Sequence, residues 1–327
     1  MKGKTVATLA TALLLGLLAL PAMADRPSQT GPGSLNYVEG QVTVGTQQLS
    51  SKSVGSAELQ VGQALTTQTG KAEILLTPGV YLRVGDNSSV KMISPSLTNT
   101  EVEVQRGEAQ LEVDQIFPQN DLRVLEDGTT TRLQKKGIYD FNADQRTVRV
   151  LDGQAFLTEG DNGIKIKGGH EVALDGSPLK SVKFDKKNFQ ADNELYRWSS
   201  LRSEYLAEAS VETGRTYVVN GGYGPGWWGA GWYWNPWFGA YTFLPADGIL
   251  YSPFGWGFYS PLWAYRVPFY NGGSYRHFGP GWTPAHRGWA AEGRPSGAIT
   301  THNGFHGGET HAGGFGSGGF GGFGHAR

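Results

Sequence analysis

Between about Tyr37 and Phe184, apolar and polar residues alternate in short runs. Glu101-Val102-Glu103-Val104 alternates strictly, Ala109, Leu111 and Val113 interleave with Gln110 and Glu112, and Ile164-Lys165-Ile166-Lys167 repeats the pattern. A period of two sends one side chain toward a core and the next toward water. Between the runs sit Pro78-Gly79, Gly85-Asp86-Asn87, Asp127-Gly128, Asp152-Gly153 and Asp161-Asn162-Gly163. These residues pre-set φ or tolerate positive φ, so they punctuate strands with turns. No helical period interrupts the region, which predicts an all-β domain over residues 37–184, folded as a β roll, solenoid or sandwich. Glu39-Gly40-Gln41-Val42, Arg106-Gly107-Glu108-Ala109 and Asp152-Gly153-Gln154-Ala155 each set a glycine just ahead of a strand, as stacked β turns would.

The period then changes. Leu195, Trp198, Leu201, Tyr205 and Ala209 recur at steps of three and four, which predicts one apolar helix face. The helix is placed at 188–213, its periodic part running from an N-cap at Asp192 to a stop at Gly214, with Arg197, Glu204 and Glu208 opposite. It reads as a cap over the edge of the sheet, with partner binding as the alternative.

Residues 214–275 form an aromatic, Gly/Pro-rich module in which Asp247 is the only charged residue between Val218 and Tyr265. Pro225, Pro236, Pro245, Pro253 and Pro261 interrupt it, and each would remove a helical N–H and clash with the preceding turn. In lipid those freed backbone groups would need new partners, so a membrane helix is excluded. Two readings remain. Either two turn-rich hairpins or loops lie over the preceding domain, or the aromatic faces stand open for a glycan or an envelope surface. Trp227, Trp228, Trp232, Trp234 and Trp237 are the candidate surface-binding residues.

The ends are simpler. Lys2 and Lys4 precede an apolar run from Val6 to Leu20, and Pro21-Ala22-Met23-Ala24 ends it with small residues. That is the pattern of a signal peptide, 1–24, cleaved after Ala24, which predicts a periplasmic or secreted protein with a linker at 25–36. Residues 276–327 are glycine-dense with isolated Phe305, Phe315, Phe320 and Phe323, a composition expected to stay disordered.

Composition narrows the chemistry. Removing Lys2 and Lys4 with the leader takes the formal net charge from −1 to −3, which argues against nucleic acid. With no cysteine there are no disulfides, thiol catalysis or cysteine-held metals. His277, His286, His302, His306, His311 and His325 lie in glycine-rich sequence with no carboxylate framing a closed metal site, and His170 stands alone in the β region. Asp140 with Asp144, and Glu126 with Asp127, read as turn residues, not an acid–base pair. No catalytic, cofactor or metal residue is expected.

The stretch "VGQALTTQTGKAEILLTPGVYLRVGDNSSVKM", then "EVEVQRGEAQLEV", "LRVLEDGTTTRLQKKGIYDFN" and "TVRVLDGQAFL", resembles a FecR domain. That module is the periplasmic β domain of iron-dicitrate-type transmembrane signal regulators, and it also occurs in other exported proteins. The matching positions are structural: Gly62, Ala72 to Leu76, Pro78-Gly79, Val80 to Val84, Gly107, Gly137 and Gly153. The family's Gly-Thr-x-Phe step reads Gly137-Ile138-Tyr139-Asp140-Phe141 here, and only five residues precede the apolar run, so no sigma-factor-holding segment is expected. The sequence therefore predicts a non-enzymatic envelope protein that acts as an interaction or scaffold module. Its expected partner is an envelope protein, a glycan surface or a second copy. Signal relay and carbohydrate or peptidoglycan binding are the alternatives.

Overall fold

The computed structural model describes residues 30–221 and 229–266. The chain begins with β1 (Leu35–Val44), the short β2 (Gln47–Gln48), β3 (Ala64–Leu75), β4 (Val80–Val84), β5 (Ser89–Ser96), β6 (Asn99–Arg106) and β7 (Glu108–Val113). It continues through β8 (Leu122–Glu126), β9 (Thr129–Leu133), β10 (Gly137–Asn142), β11 (Thr147–Asp152), β12 (Gln154–Glu159), β13 (Asn162–Lys167), β14 (His170–Ala173) and β15 (Ser181–Lys183). Two helices follow, α1 (Lys186–Asp192) and α2 (Glu194–Val219). The hairpins β16 (Gly231–Asn235) with β17 (Ala240–Leu244), and β18 (Ile249–Tyr251) with β19 (Gly257–Tyr259), precede α3 (Pro261–Arg266).

The first fifteen strands make one sheet in the order β13-β12-β9-β8-β6-β5-β3-β4-β7-β10-β11-β14-β15, with β1 on β3 and β2 on β1. Every pairing is antiparallel except β6 with β8. The long β3 pairs with β5 through Ala64–Thr66 and with β4 through Ala72–Leu75, so it joins the two halves of the sheet. Both halves feed one apolar core: Ile166 of β13 and Val172 of β14 share it with Val42, Ile74, Leu82, Leu111, Phe141 and Val148. The sheet is thus rolled, nearly closed on itself, around the alternating positions that the sequence marks as inward. β1 begins at Leu35, inside the span read as linker, because Leu35 and Asn36 are buried.

The glycines before strands have physical reasons. Gly107 sits at φ +68°, and a Cβ there would lie 2.2 Å from Ser88 Oγ. Gly153 sits at φ +96°, where a Cβ would lie 2.5 Å from the Tyr139 hydroxyl. Both are turns that only a residue without a side chain fits.

The helical region departs from its periodicity in three ways. Asn193, not Asp192, caps the long helix, its side chain accepting from Tyr196 N at 2.6 Å; Asp192 ends α1. Gly214 does not stop the helix but lies inside it, against α3, where a Cβ would come 2.7 Å from the Ala264 Cβ. Leu201 and Tyr205 of the expected apolar stripe point outward, while Ser199, Arg202, Ser203 and Ser210 are buried. The reason lies in the surface beneath the helix, which is charged.

The two hairpins lie on the outer face of the sheet beside α2. Phe243, Phe258, Tyr241 and Ala240 pack with Leu75 and Tyr81 of the sheet and Leu206 of α2 in a second apolar core. Burying an aromatic ring is worth several kcal/mol at about 25 cal/mol per Å². That is why this glycine- and proline-rich stretch orders against the sheet.

Candidate functional site

Strand alternation assigns Glu112 and Gln110 to the water side of β7, yet both are only 1 % exposed. The outer face of β3, β4 and β7 carries Glu73, Tyr81, Arg83, Gln110 and Glu112, with Asp114 just past the end of β7, and α2 and the hairpins lie over it. The polar face is inside the molecule, so its charges must be paired there. Arg83 donates Nε to Glu73 at 2.8 Å and Nη1 to Glu112 at 2.5 Å. Arg202 of α2 reaches down to the other Glu73 oxygen at 2.9 Å, and Ser203 Oγ donates to Glu112 at 2.6 Å. Asn36 Nδ2 adds a third donor to Glu73 at 2.9 Å. The buried polar helix residues therefore match the buried polar strand residues, carboxylate to guanidinium.

Burial raises the Glu73 pKa, but Arg202 and Arg83 outweigh it and hold the carboxyl below its usual range. Asp114 has no such partner. Burial, and then the neighbouring Glu112, push its carboxyl well above the ordinary value, and neither oxygen makes a hydrogen bond. The neighbouring patch is similar: Asp140 of β10 is fully buried and accepts from Gln110 and Arg149, while burial and Glu108 raise its pKa. Asp140 is thus a strand residue in a polar network, which corrects the turn assignment. Asp144 does serve a turn, accepting from Gly107 N at 3.0 Å. Glu126 is also buried, and burial lifts its pKa to about 8. His170 opens β14 opposite Val150.

The charged seam positions something at the surface. The Arg202 guanidinium lies 4.1 Å from the Tyr37 ring centroid and 5.2 Å from that of Tyr205. Tyr205 packs edge-on against Phe238 at 4.8 Å, and its hydroxyl donates to Phe238 O at 2.9 Å. Phe238 belongs to the turn between β16 and β17. Buried Asn235 fixes that turn from both sides: Nδ2 donates to Thr213 Oγ1 at 2.9 Å, and Oδ1 accepts from Trp237 N and Phe238 N at 2.9 and 3.1 Å. On the far edge of β17, the Asn36 side chain pairs with Tyr241 like a short strand, accepting from N at 2.7 Å and donating to O at 3.0 Å. Trp237, at the tip of this braced hairpin, is 86 % exposed.

Of the five candidate tryptophans, the three among the described residues differ in exposure. Trp237 stands out in solvent. Trp232 is half-buried, edge-on to Tyr81 at 5.0 Å, with Nε1 donating to Leu76 O at 3.3 Å. Trp234 lies against Tyr241 and Gly55 and is 38 % exposed. Trp227 and Trp228 lie outside the described residues, as do the leader, the tail and the six histidines from His277 to His325. Sequence reasoning missed the residues that brace the tip, Asn235, Tyr205, Arg202 and Glu73. The one available signal was polar Ser199, Arg202, Ser203 and Ser210 recurring on a single helix face.

Among the described residues no three histidine or carboxylate side chains converge on a possible metal position. No described helix is long and apolar enough to cross a membrane. A shallow recess of about 260 Å³ lies between β1, β2 and β3, lined by Gln41, Thr43, Gln48, Thr66 and Gln68. It brings together no acid, base or nucleophile.

No family model matches this chain, and no curated protein does. Two solved structures of a candidate anti-sigma factor from Parabacteroides distasonis are similar to it, at 13 % and 12 % identity, each with a TM-score of 0.34. The similarity covers 38 % and 39 % of this chain and 61 % and 63 % of those structures, so it spans about three fifths of their length.

Proposed function

We propose that this protein is a non-enzymatic interaction module of the cell envelope, exported by its leader, which grips a partner through the aromatic tip at Trp237. The observation that carries this reading is a large aromatic ring 86 % open to water at the end of a hairpin whose turn is fixed by buried Asn235. Because the turn backbone is already fixed, binding has to order only the ring itself, at about 0.5–1.5 kcal/mol, and aromatic anchors dominate binding surfaces. The charged seam supports the reading as scaffold: it is sealed under α2 and offers no access to a substrate.

The test is retention on isolated envelope fractions. Trp237→Ala should leave the folding stability within the scatter of surface substitutions, about 0.5 kcal/mol. It should also lower retention at least ~10-fold, the loss of about 1.4 kcal/mol expected from an aromatic anchor. Unchanged retention would sink the proposal. The resemblance to FecR domains favours a second reading, in which binding is relayed to a membrane regulator. Loss of a transcriptional response on deleting the gene, restored by wild type and not by Trp237→Ala, would support relay; a normal response in the deletion strain would remove it.

A further inference from the structure

The outer side of α2 adds chemistry to the tip. Leu201 and Tyr205 are 49 % and 38 % exposed and continue the aromatic surface of Phe238 and Trp237 along the helix. Glu204, Glu208 and Glu212 follow at steps of four on that same side, half-buried. Residues four apart are neighbours on a helix, so the three carboxylates form a stripe beside the rings. No salt bridge joins any of them to a lysine or arginine among the described residues. Two of the three arginines of α2 are engaged elsewhere: Arg202 is buried on Glu73, and Arg215 is buried with Nε donating to Ala264 O. Arg197, at the start of the face, is its exposed cation. Burial raises the carboxyls of Glu204 and Glu208, and their mutual repulsion adds to this at Glu204. Among the described residues these acids sit beside apolar surface without an ion-pair partner, Arg197 standing only at the start of the face.

We propose that the face formed by Trp237, Phe238, Tyr205, Leu201 and the Glu204-Glu208-Glu212 stripe docks a basic, apolar polypeptide segment, one carrying lysine or arginine between hydrophobic residues. This deepens the interaction reading above and rests on it. A cationic side chain relieves the carboxylate repulsion and can lie over the open aromatic faces, while its apolar neighbours cover Leu201 and Trp237. A neutral glycan satisfies the rings but not the acids. An acidic surface is repelled.

The probe is a synthetic peptide of alternating lysine and leucine, compared with a glutamate–leucine peptide of equal length and titrated against the full mature chain by tryptophan fluorescence. The basic peptide should bind and the acidic one should not, and raising the salt from about 50 to 300 mM should weaken binding several-fold as the charges are screened. Glu204→Gln with Glu208→Gln and Glu212→Gln should weaken binding ~10-fold or more. Glu159→Gln with Asp161→Asn and Asp175→Asn removes the same charge from exposed positions on a strand end and two turns of the roll and should change nothing. Equal binding of both peptides, or equal loss in the two triple variants, overturns the proposal. So does salt-sensitive self-association through this face without peptide, which would make a second copy the occupant. If the helix variant fails to fold, Glu208→Gln alone with the salt series decides. Envelope retention that depends on Trp237 but not on the three glutamates would leave the interaction reading standing and this one fallen.

Discussion

Single residues show where the fold tolerates cost. Glu126 ends β8 facing the core, and neither carboxylate oxygen makes a hydrogen bond of ordinary geometry. Its folded pKa of about 8 lies above the unfolded value near 4.5. Between those values the folded chain keeps a proton that the unfolded chain releases, so stability falls as pH rises from about 4.5 to about 8. Glu126→Gln should flatten this slope in urea titrations and gain ~1 kcal/mol or more at pH 8, because no buried charge has to form. A pH slope identical to wild type would refute the assignment. Asp114, raised by burial and Glu112, has the same sign, and Asp114→Asn should stabilise the chain above neutral pH. Neither residue is legible as buried in the sequence. Glu126-Asp127-Gly128 has the composition of a turn, and Asp127 and Gly128 do form one, with φ +49° and +75°. A charged residue at the last inward position of a strand has the same local pattern as one in the loop.

Elements show a different kind of constraint. Glycine inside a helix costs about 1 kcal/mol relative to alanine, so Gly214→Ala should stabilise α2 on propensity alone. The structure predicts the reverse, because the new methyl would meet Ala264 Cβ at 2.7 Å and force α3 away. Thermal melts should show Gly214→Ala below wild type, with Ala264→Gly in the same chain restoring part of the loss. A Gly214→Ala variant more stable than wild type would mean that α3 is not held there. The cap makes a second case. Asn193 caps α2 and also donates Nδ2 to Glu108 at 2.5 Å, so Asn193→Ala should cost ~1–2 kcal/mol in chemical denaturation. The strands of the roll were readable because period two and the turn residues are local signals, whereas the aromatic stretch, with no such alternation, was readable only as hairpins or loops. The helix was readable as a helix, but its facing was not. Leu201 and Tyr205 supplied an apolar stripe that periodicity assigned inward, while the partner surface, set by Glu73 and Glu112, selected Arg202 and Ser203 instead.

At the scale of the whole molecule, the outer face of β3, β4 and β7 is completed by sequence far downstream. Arg202 lies 129 positions after Glu73, and Tyr241 lies 205 after Asn36. No local window contains both halves of either contact, which is why alternation placed Gln110 and Glu112 in water. The roll and its cover are therefore expected to unfold together. Only in acid, below the unfolded carboxyl value of 4.5, does the seam weaken: Glu73 is held below its ordinary pKa by Arg202 and Arg83, so its contribution is present above the unfolded value and is lost as pH falls through the folded one. Ending the chain at residue 185 tests the dependence directly. Such a roll would open the apolar surface of Leu75 and Tyr81 to water and would leave Glu73 without Arg202 and Glu112 without Ser203. Losing one partner of a buried ion pair alone costs about 3–5 kcal/mol, comparable to the whole stability of a small domain. The truncated chain should aggregate or lack a cooperative melt, whereas Trp237→Ala in the full chain should melt as wild type does. A truncated roll that melts within a few degrees of the full chain would show that α2 and the hairpins merely rest on the sheet, and the rigid mounting of Trp237 would lose its foundation.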